Sequence, residues 1–502
     1  MNMPARTLAP RVTLDKLLQG IAAAPAIEIC GIRSDSRKLK PGDLFLACQG
    51  ATAHGLDFLE QAKAAGVVAV AWDPATRSAV EADLPLIAVP GLAAHIGEIA
   101  NRWFDRPSST VRVSGVTGTN GKTTVAYLIA QCLSGLGNKC GYIGTLGSGI
   151  GAISNGCAMT TPACIDLHEL LAGFREQSAQ HAAIEVSSHA LEQSRVDGVR
   201  FDAAIFTNLT RDHIDYHGSM QAYFESKARL FLDYEVRKRI VSIDSDYGVE
   251  LVERCGTDVV AVSARLDRVA TNRPHVFIRA LARNPSGSTV SVVSSWGSAE
   301  LTLRLPGDFN VANALQVLAL LLCNDIPLAD ACAALAAVSA PPGRMELVNP
   351  STNDALPAVY VDYSHTPASL EAALQALRAH CDGKLWCVFG CGGDRDRGKR
   401  AMMGGVAERL ADVTIVTSDN PRSEVPESII ADVLEGMSGK PEAIVDRGEA
   451  IAQAVRQAGQ DDIVLIAGKG HENYQVIGGQ TLPFSDRQSA LAALLARSTG
   501  SR

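Results

Sequence analysis

The clearest chemical motif in this chain is a glycine-rich stretch that ends in a lysine and two threonines. Residues 111–125 read VRVSGVTGTNGKTTV, in which a β-rich run precedes the glycines and an apolar helix is expected from Val125. Glycines allow several backbone N–H groups to face one anion, and a helix amino terminus adds partial positive charge. The stretch predicts a phosphate-binding loop formed by Gly118, Thr119, Asn120, Gly121, Lys122, Thr123 and Thr124.

Two side chains of this loop have specific expected roles. Lys122 can bridge the terminal phosphates of a nucleoside triphosphate, and the Thr123 hydroxyl can bind Mg²⁺. The spacing departs from the common GxxxxGK[ST] pattern, because Val116 stands where the first glycine belongs. An ordinary glycine turn with a solvated lysine remains the alternative, although strand, loop, lysine-threonine pair and helix all agree.

Acidic and imidazole groups follow in two further segments. In residues 182–189 (AAIEVSSH), Glu185 stands at the end of a strand-like run. Residues 206–218 (FTNLTRDHIDYHG) hold four such groups: Asp212, His213, Asp215 and His217. One carboxylate and one imidazole can complete the Mg²⁺ shell around a triphosphate. For any single one of these residues, capping or hydrogen bonding within a loop is an equal alternative.

Four apolar runs in the last third of the chain each lead into a charged or polar loop. The runs are AVYV, LWCVFG, VTIVTS and IVLIAG, starting at residues 358, 385, 413 and 463. In an open parallel sheet, ligands bind beyond the carboxyl ends of the strands. Arg395 and Arg422 are forked donors suited to carboxylates, whereas Asp419 and Glu472 can receive an ammonium group. The set predicts a site for a zwitterionic amino acid, and the alternatives are an Asn-Pro turn and a solvated charged loop.

These loops must be positioned by several domains, because 502 residues exceed one ordinary core. Short β-branched runs alternate with Ala/Leu-rich stretches, which indicates an α/β fold with largely parallel strands. Residues 84–91 (LPLIAVPG), followed by a helix to about Asp105, and residues 339–343 (SAPPG) are the expected linkers. The predicted domains are residues 1–90, 91–340 and 341–502.

Bulk properties exclude several classes of partner. The net charge is −8, which gives no general attraction to nucleic acid or to an anionic membrane. The amino terminus lacks the apolar core of a signal peptide, and no apolar run is long enough to span a bilayer. Twelve cysteines without a CxxC pair indicate reduced, packed thiols, Cys391 included. We therefore expect a cytoplasmic protein that does not insert into membranes.

Five segments together resemble the Mur ligase family, in order and over essentially the whole chain. They are TGTNGKTT at 117–124, EVSSH at 185–189, TRDHIDYHG at 210–218, GDFNVANALQVLAL at 307–320 and DYSHTP at 362–367. Ser364 departs mildly from the usual DYAHTP. The resemblance implies a small UDP-binding α/β domain, a central P-loop ATPase-like domain with a parallel sheet, and a Rossmann-like third domain.

Two carboxy-terminal segments, DNPR at 419–422 and GKGHE at 468–472, resemble the branch of this family that adds meso-diaminopimelate. The resemblance implies ATP-dependent addition of this amino acid to UDP-N-acetylmuramoyl-L-alanyl-D-glutamate through an acyl-phosphate, with Mg²⁺. It places the reaction in peptidoglycan and cell wall synthesis, on which cell shape, cell division and the cell cycle depend. We expect a monomer.

The resemblance also implies roles for individual residues. Catalytic roles fall on Lys122, Glu185, His213 and Lys227; Lys227 would be carbamylated by CO₂ and would bind magnesium with Thr123, Glu185 and His213. The nucleotide would also contact Asn310, Asn313, Arg344 and Asp362. The UDP substrate would contact Ser34, Ser36, Ala51, Thr52, Ala53, Thr160, Thr161, Ser187, Gln193 and Arg195. Diaminopimelate would contact Arg395, Asp419, Asn420, Pro421, Arg422, Gly468 and Glu472.

Without the resemblance, plainer interpretations stand for several of these residues. Lys227 would be a lysine on a helix surface. Residues 31–58 would form an ordinary β-hairpin, and Thr160 and Thr161 a turn. Two other functions remain open: an amide ligase of the folylpolyglutamate synthetase type, and an NTP-driven switch that needs no amine substrate. No residue can be named as the base that deprotonates the attacking amine.

Overall fold

The computed structural model describes residues 12–50, 52–78, 80–154, 159–267, 272–284, 287–348, 356–439 and 441–500. The chain divides into two compact units: Met1–Thr119 with Gly137–Arg239, and Asn120–Leu136 with Ile240–Arg502. Each unit contains α/β layers. The predicted domain boundaries at residues 90 and 340 remain predictions; they fall just before a helix that begins at Leu92 and after one that ends at Ala336.

The amino-terminal part is a small parallel sheet with helices. Its elements are β1 (Val12–Thr13), α1 (Leu14–Leu17), β2 (Glu28–Ile29), β3 (Gly31–Arg33), β4 (Asp43–Ala47), α2 (Leu59–Ala64), β5 (Ala69–Trp72), β6 (Leu86–Ala88) and α3 (Leu92–Trp103). The strand order is β3-β4-β5-β6, and all three pairs are parallel. The helix expected after residue 91 is confirmed as α3.

The β-hairpin considered for residues 31–58 is wrong. β3 and β4 pair in parallel, with Gly31 opposite Asp43. Every residue of β4 is buried, with Leu44 and Leu46 in one apolar core and Phe45 in another. A hairpin usually leaves one face in water, whereas a parallel sheet is covered on both faces. The continuous apolar run LFLA was therefore the signal for a parallel strand.

The central part contains the longest series of elements. They are β7 (Arg112–Thr117), α4 (Lys122–Gly135), β8 (Cys140–Gly144), β9 (Gly147–Ile150), α5 (Cys164–Glu176), β10 (His181–Glu185), α6 (Ser188–Glu192), β11 (Phe201–Phe206), α7 (Ile214–His217), α8 (Met220–Leu232), β12 (Val236–Ser242), α9 (Asp246–Cys255), β13 (Val259–Ser263), β14 (His275–Asn284), β15 (Gly287–Ser294), β16 (Gly297–Leu303), α10 (Asp308–Cys323) and α11 (Leu328–Ala336).

The strands of the central part are divided between the two units. In the first unit the order is β11-β7-β10-β8-β9; the first four are parallel and β9 is antiparallel to β8. In the second unit β13 and β14 are parallel, and β15 and β16 continue antiparallel. The carboxyl ends of β7, β10 and β11, which precede the predicted ATP motifs, therefore lie at one edge of the first unit's sheet.

The carboxy-terminal part forms a doubly covered parallel sheet. Its elements are β17 (Glu346–Leu347), β18 (Ala358–Asp362), α12 (Pro367–Arg378), β19 (Leu385–Phe389), α13 (Gly398–Leu410), β20 (Val413–Thr417), α14 (Pro426–Leu434), β21 (Glu442–Ile444), α15 (Arg447–Gln457), β22 (Ile463–Ala467), β23 (Tyr474–Ile477), β24 (Gln480–Pro483) and α16 (Asp486–Gly500). The order is β17-β18-β22-β19-β20-β21, with only β17 antiparallel. The four predicted strands are confirmed as β18, β19, β20 and β22.

Alternate residues of these strands enter two separate cores. In β19, Cys387 and Phe389 pack under α12, α13 and α14, whereas Trp386 and Val388 pack under α15 and α16. Cys391, just after β19, is buried beside the first core, and burial raises the pKa of its thiol to about 12. This cysteine is therefore packed and protonated, as its interpretation as structural filler requires. No helix in the described part of the chain could cross a membrane.

A buried ion pair lies beneath the carboxyl ends of β20 and β22. Arg447, at the start of α15, and Asp486, at the start of α16, are both fully buried. Two hydrogen bonds of 2.7 Å join the guanidinium to the carboxylate. Arg447 also donates to the carbonyl oxygens of Ser418 at 3.3 Å and Ala467 at 3.0 Å. The pair thus connects two helices to two strand ends.

Removing one partner of this ion pair should be far more harmful than removing both. We expect Asp486→Ala to lower the free energy of unfolding by about 3–5 kcal/mol, because it leaves Arg447 charged and unpaired in the interior. The double variant Arg447→Met with Asp486→Leu should lose much less. Urea-induced unfolding of the three proteins measures the difference, and equal losses in both variants would contradict the expectation.

Candidate active site

The predicted phosphate loop runs from the end of β7 to the start of α4. The helix begins at Lys122, before the expected start at Val125. Gly121, at φ +86°, directly precedes it, so helical geometry can begin as soon as this left-handed residue ends. The first turn of α4 therefore contains Lys122, Thr123 and Thr124. Backbone N–H groups in a first helical turn have no acceptor within the helix, which suits anion binding.

Gly118 and Gly121 occupy positions that only glycine fits. Gly118 has φ +148°, and a Cβ there would overlap the hydroxyl of Thr207. A Cβ on Gly121 would overlap the side-chain oxygen of Asn313. Thr119 donates its backbone N–H to the carbonyl oxygen of the residue after Thr207 at 2.9 Å. This close backbone packing fits a loop that must present its N–H groups to phosphates.

Four predicted nucleotide contacts form two pairs in the second unit. Asn310 and Asn313 lie in the first two turns of α10, and Asn313 donates to the Asn310 side-chain oxygen at 3.4 Å. Arg344 lies over the Tyr363 ring at 4.7 Å, and Asp362 accepts from the N–H of the residue after Arg344 at 2.8 Å. Each pair is therefore brought together.

Ser364, the departure from the usual family motif, has a definite structural role. Its backbone N–H donates to Asp362 Oδ1 at 3.0 Å, and its hydroxyl donates to the same oxygen. The hydroxyl also contacts the carbonyl oxygen of Ser369, in the first turn of α12, at 3.1 Å. The substitution therefore adds a hydrogen bond to Asp362 rather than disturbing it.

Glu185, the last residue of β10, is buried, and its carboxylate accepts hydrogen bonds from Tyr142 and Thr145. Its Oε1 accepts from the Tyr142 hydroxyl at 2.6 Å and from the Thr145 backbone N–H at 2.8 Å. Its Oε2 accepts from the Thr145 hydroxyl at 3.2 Å. Donors of this kind stabilise a buried carboxylate and fix its orientation. Sequence reasoning missed Tyr142 and Thr145; the only signal was their position around the end of β8, next to β10.

Lys227 is buried, so the plain interpretation as a surface lysine is wrong. Only 1% of its surface is exposed. Its Nζ donates to the Gly118 carbonyl oxygen at 2.9 Å and lies 4.4 Å from the centre of the Tyr223 ring. Burial raises the pKa of Tyr223 to about 12, so this phenol stays neutral. α8 thus brings a lysine amine to the phosphate loop. Sequence reasoning did not identify Tyr223 as a neighbour of this lysine.

His213 belongs to a cluster of rings between α6, α7 and α8. Its ring centre lies 4.9 Å from that of His189, and His189 lies 4.1 Å from Tyr216. His217 lies 5.0 Å from Tyr223. Burial, followed by nearby imidazoles and cations, lowers the pKa of His189, which favours its neutral form. The segments at residues 185–189 and 210–218, which both resemble Mur ligase motifs, are therefore in contact.

The magnesium ligands predicted from the family resemblance include one carboxylate and one imidazole. Within the described ranges, no three His, Cys, Asp or Glu side chains are grouped so that they could hold a metal ion. The predicted set contains a single carboxylate, Glu185, together with His213, Thr123 and Lys227, so it does not require such a group. Mg²⁺ commonly keeps several waters and uses one or two carboxylates beside substrate phosphates. The residues present are therefore compatible with this ion.

The predicted contacts to the UDP-linked substrate that follow β9 and β10 lie close together. The Thr161 hydroxyl donates to the Glu185 carbonyl oxygen at 2.7 Å and accepts from the Ser187 N–H at 3.1 Å. Arg195 donates to the Thr161 carbonyl oxygen at 3.1 Å and to the Gln193 side-chain oxygen at 3.1 Å. The Thr160 hydroxyl lies 3.2 Å from that of Thr145, which binds Glu185.

The predicted uridine contacts follow two neighbouring strands of the amino-terminal sheet. Ser34 and Ser36 come after β3, and Thr52 and Ala53 come after β4. Because β3 and β4 are parallel, both segments start at the same edge of the sheet. Ala51, which was predicted with them, lies outside the described residues.

The two arginines predicted to bind carboxylates both lie close to Gly392. A Cβ on Gly392 would be 2.9 Å from Arg422 Nη1 and 3.7 Å from Arg395 Cγ. Arg422 has a left-handed backbone at φ +54°, and its Nη1 donates to the Gly393 carbonyl oxygen at 2.8 Å. The loops that follow β19 and β20 therefore meet at these side chains.

The acidic groups of this edge have partners within the protein. Lys469 is fully buried, and its Nζ donates to Asn420 Oδ1 at 3.0 Å and lies 3.3 Å from Glu472 Oε2. Asn420 donates to the same Glu472 oxygen at 2.9 Å. Asp419 is also buried, which raises the pKa of its carboxyl against the opposing effect of Arg447 and Lys469. A Cβ on Gly468 would touch Asp419, so these two predicted contacts are neighbours.

Three family models match this chain in order. The model of the Mur ligase family catalytic domain matches residues 28–104. The Mur ligase middle domain matches residues 116–321, and the Mur ligase glutamate ligase domain matches residues 343–470. Together they include the predicted phosphate loop and most of the other segments described above, whereas residues 471–472 lie beyond the third match.

Relatives of nearly the full length share one name, UDP-N-acetylmuramoyl-L-alanyl-D-glutamate–2,6-diaminopimelate ligase. The protein from Coxiella burnetii is 44% identical over 470 residues, which cover 93% of this chain and 96% of the relative. The protein from Xanthomonas oryzae pv. oryzae is 43% identical over 488 residues, with coverages of 97% and 98%.

Solved structures agree with these relatives. A structure bearing the same name is 33% identical, with a TM-score of 0.74 and coverages of 97% and 99%. The MurF ligase from Thermotoga maritima in complex with ADP is 15% identical, with a TM-score of 0.59 and coverages of 94% and 98%, and shows the shared fold.

Two glycine substitutions should distinguish the effect of changing the phosphate loop from that of changing the helix that follows it. We expect Gly118→Ala to cost about 1–3 kcal/mol of stability and to abolish most nucleotide hydrolysis, because alanine disfavours φ +148° and would overlap Thr207. Gly135→Ala, at the end of α4, meets nothing within 4 Å and should be neutral or stabilise by up to about 1 kcal/mol. Thermal melts and ADP release test both, and unchanged hydrolysis in Gly118→Ala would refute the assignment.

Proposed function

The chain belongs to the Mur ligase family, and we propose that within it the chain is the ATP-dependent ligase that joins meso-diaminopimelate to UDP-N-acetylmuramoyl-L-alanyl-D-glutamate. The reaction forms an amide and releases ADP and phosphate, and it supplies precursors for peptidoglycan and the cell wall. The observation that carries this conclusion is 43–44% identity over 93–97% of the chain to relatives of that name.

The first chemical step transfers the γ-phosphoryl group of ATP to the side-chain carboxylate of the D-glutamate residue. The P–O bond to ADP breaks as a P–O bond to the carboxylate forms, which leaves an acyl-phosphate. Such transfers depend on positioning and on charge neutralisation. Lys122 and the N–H groups of the first turn of α4 supply positive charge for this purpose. Mg²⁺, held by Thr123, Glu185, His213 and modified Lys227, would add charge neutralisation of its own.

The second step forms the amide bond. The unprotonated amine of diaminopimelate attacks the acyl carbon, the C–O bond to phosphate breaks, and phosphate leaves while the amine loses a proton. Water would destroy the acyl-phosphate, so the reaction needs an active site from which water is excluded. The contacts among Thr161, Ser187, Gln193 and Arg195 support a role for this segment in holding the peptide part of the UDP-linked substrate.

Lys227 would act as a carbamate. Its unprotonated amine would add to CO₂ with loss of a proton, which converts a cation into an anion that binds magnesium. The support is its burial and the 2.9 Å contact of its Nζ with the carbonyl oxygen of Gly118. A carbamate at this position would contribute negative charge close to the phosphate loop.

The distal end of diaminopimelate would be bound by the loops after β19, β20 and β22. Arg395 and Arg422 would bind its carboxylate, and Asp419 with Glu472 would face its ammonium group. Support comes from the meeting of both arginines at Gly392 and from the adjacent, buried Asp419. Asn420, Lys469 and Glu472 are bonded to one another, and Arg422 is bonded to the Gly393 carbonyl oxygen, which favours a fixed arrangement of these groups over a flexible one.

We further infer a monomer that acts in the cytoplasm, where ATP and nucleotide-linked precursors are made. An amide ligase of the folylpolyglutamate type is disfavoured, because residues 28–104 match the model of the Mur ligase family catalytic domain. A nucleotide-driven switch is disfavoured by similarity to ligases along the whole chain.

Arg422 should set the preference for diaminopimelate over lysine. A charge-assisted hydrogen bond to the distal carboxylate, which lysine lacks, contributes roughly 1.5–3 kcal/mol, or about ten- to a hundredfold in kcat/KM. We expect the wild type to prefer diaminopimelate strongly, and Arg422→Ala to lose most of that preference by harming the diaminopimelate reaction. The measurement is kcat/KM for both amino acids in both proteins.

Arg378→Ala is the matched control for this experiment. Arg378 pairs with Asp412, which precedes β20, so it lies near the amino ends of the strands and away from the predicted site. Its loss should leave the amino-acid preference unchanged. A wild type that uses lysine equally well would exclude the proposed substrate, whereas unchanged selectivity in Arg422→Ala would exclude only the role of this arginine.

Lys227→Ala should be nearly inactive, and short carboxylic acids should restore part of its activity. The small cavity left by the side chain would admit acetate or formate, which supplies the negative charge of the lost carbamate. ADP formation with and without these acids is the measurement, and mass spectrometry of the intact wild type should show one added CO₂. Full activity in the untreated variant would contradict any role for Lys227.

A further inference from the structure

A buried arginine connects the two helices that follow the predicted amino-acid loops. Arg400, in the first turn of α13, has no exposed surface. Its guanidinium makes two hydrogen bonds to Glu424, at 2.7 and 2.9 Å, and one to Asp432 in α14 at 2.8 Å. It also donates to the Gly392 carbonyl oxygen at 3.3 Å. One side chain thus binds both the loop after β19 and the loop after β20.

Further hydrogen bonds join these loops directly. We call residues 390–397 the β19 loop and residues 418–425 the β20 loop. Glu424 accepts from the Asp394 N–H at 2.6 Å, in addition to its bonds with Arg400. The Asp394 carboxylate accepts from the Ser423 hydroxyl at 2.6 Å and from its N–H at 3.1 Å. The two loops therefore form one network, with Glu424 at its centre.

Both loops contain a residue that needs such support. Asp394 and Arg422 each have φ +54°, a left-handed backbone conformation that residues other than glycine rarely adopt. Residues persist in this region only when their surroundings fix them. Asp394 is fixed by Glu424 and Ser423, and it directly precedes Arg395. The network therefore determines the backbone from which each of the two arginines extends.

We propose that Arg400 and Glu424 are positioning residues that hold the β19 and β20 loops in one arrangement and thereby set the selectivity for the amino acid. The proposal rests on the proposed function, in which Arg395 and Arg422 bind the distal carboxylate. Neither Arg400 nor Glu424 needs to touch the substrate, because Arg400 is fully buried and Glu424 is engaged by Arg400 and Asp394.

The carboxylate of Glu424 stays ionised at neutral pH. Hydrogen bonds from Arg400 lower the pKa of Glu424 to about 2, from an ordinary value of 4.5. A carboxyl with a depressed pKa in the folded protein contributes stability above its ordinary pKa and loses it as the pH falls through the depressed value. The contribution of Glu424 is therefore complete at neutral pH and declines between about pH 4.5 and pH 2.

The test uses Glu424→Gln and Arg400→Met in the full-length enzyme. Glu424→Gln keeps the shape of the side chain but removes its charge, and this residue is 24% exposed, so the variant should fold. We expect KM for diaminopimelate to rise roughly tenfold or more, and the preference for diaminopimelate over lysine to fall by a similar factor. KM for ATP should stay within about twofold, since the nucleotide is bound elsewhere.

Arg409→Met is the matched control. Arg409 lies in the last turn of the same helix, whereas Arg400 lies in the first, and Arg409 pairs with Glu371 of α12 at 2.9 Å. Its replacement by methionine should leave KM for both amino acids and for ATP unchanged. Melting temperatures of all variants show whether an effect on KM follows from general destabilisation.

The outcomes are distinguishable. A rise in KM confined to diaminopimelate, with lowered selectivity, supports the proposal, and Glu424→Gln decides if Arg400→Met fails to fold. A lower melting temperature with unchanged selectivity would mean that the network is only structural, which overturns the proposal. A wild type without preference for diaminopimelate would instead refute the proposed function on which the inference rests.

Discussion

Parallel pairing of strands is the constraint on which the candidate sites of this chain depend. It places the carboxyl ends of neighbouring strands at one edge of a sheet, so segments far apart in sequence meet there. In the amino-terminal sheet, the loops after β3 and β4 share an edge. The same holds for β7, β10 and β11, and for β18, β19, β20 and β22. Apolar cores on both faces keep each of these edges in place.

Burial of charged groups then limits what each edge can do. Glu185, Lys227, Asp419 and Lys469 are all withdrawn from water, and an isolated buried charge would be strongly unfavourable. Hydrogen bonds with neighbouring hydroxyl, amide and backbone groups offset this cost for Glu185, Lys227 and Lys469, and the nearby charges of Arg447 and Lys469 offset part of it for Asp419. Each hydrogen-bond partner also fixes the direction of the charged group. Preorganised charge of this kind stabilises a developing charge without rearrangement during the reaction.

Much of the fold, and the backbone geometry of the predicted phosphate loop, could be predicted because local chemistry dictates it. The phosphate loop, α3 and the four strands of the carboxy-terminal sheet follow from glycine chemistry and apolar patterns. Contacts set by tertiary packing could not be predicted. Tyr142 binds Glu185 across 43 positions, and Lys227 is buried although a lysine in a helix is expected at its surface. The start of α4 was missed because Gly121, rather than an apolar residue, decides where the helix begins.

The network around Glu424 has a consequence for how this family diverges. Asp394 and Ser423 depend on each other, and Arg400 binds both loops, so a change in one loop alone disturbs the other. Paralogues with a different amino-acid substrate should therefore differ at both loops together, as a single inherited module. The strands beneath can drift independently, because their side chains pack into the two cores and not into the loops. A new specificity that depends on these loops would therefore need both segments to change together.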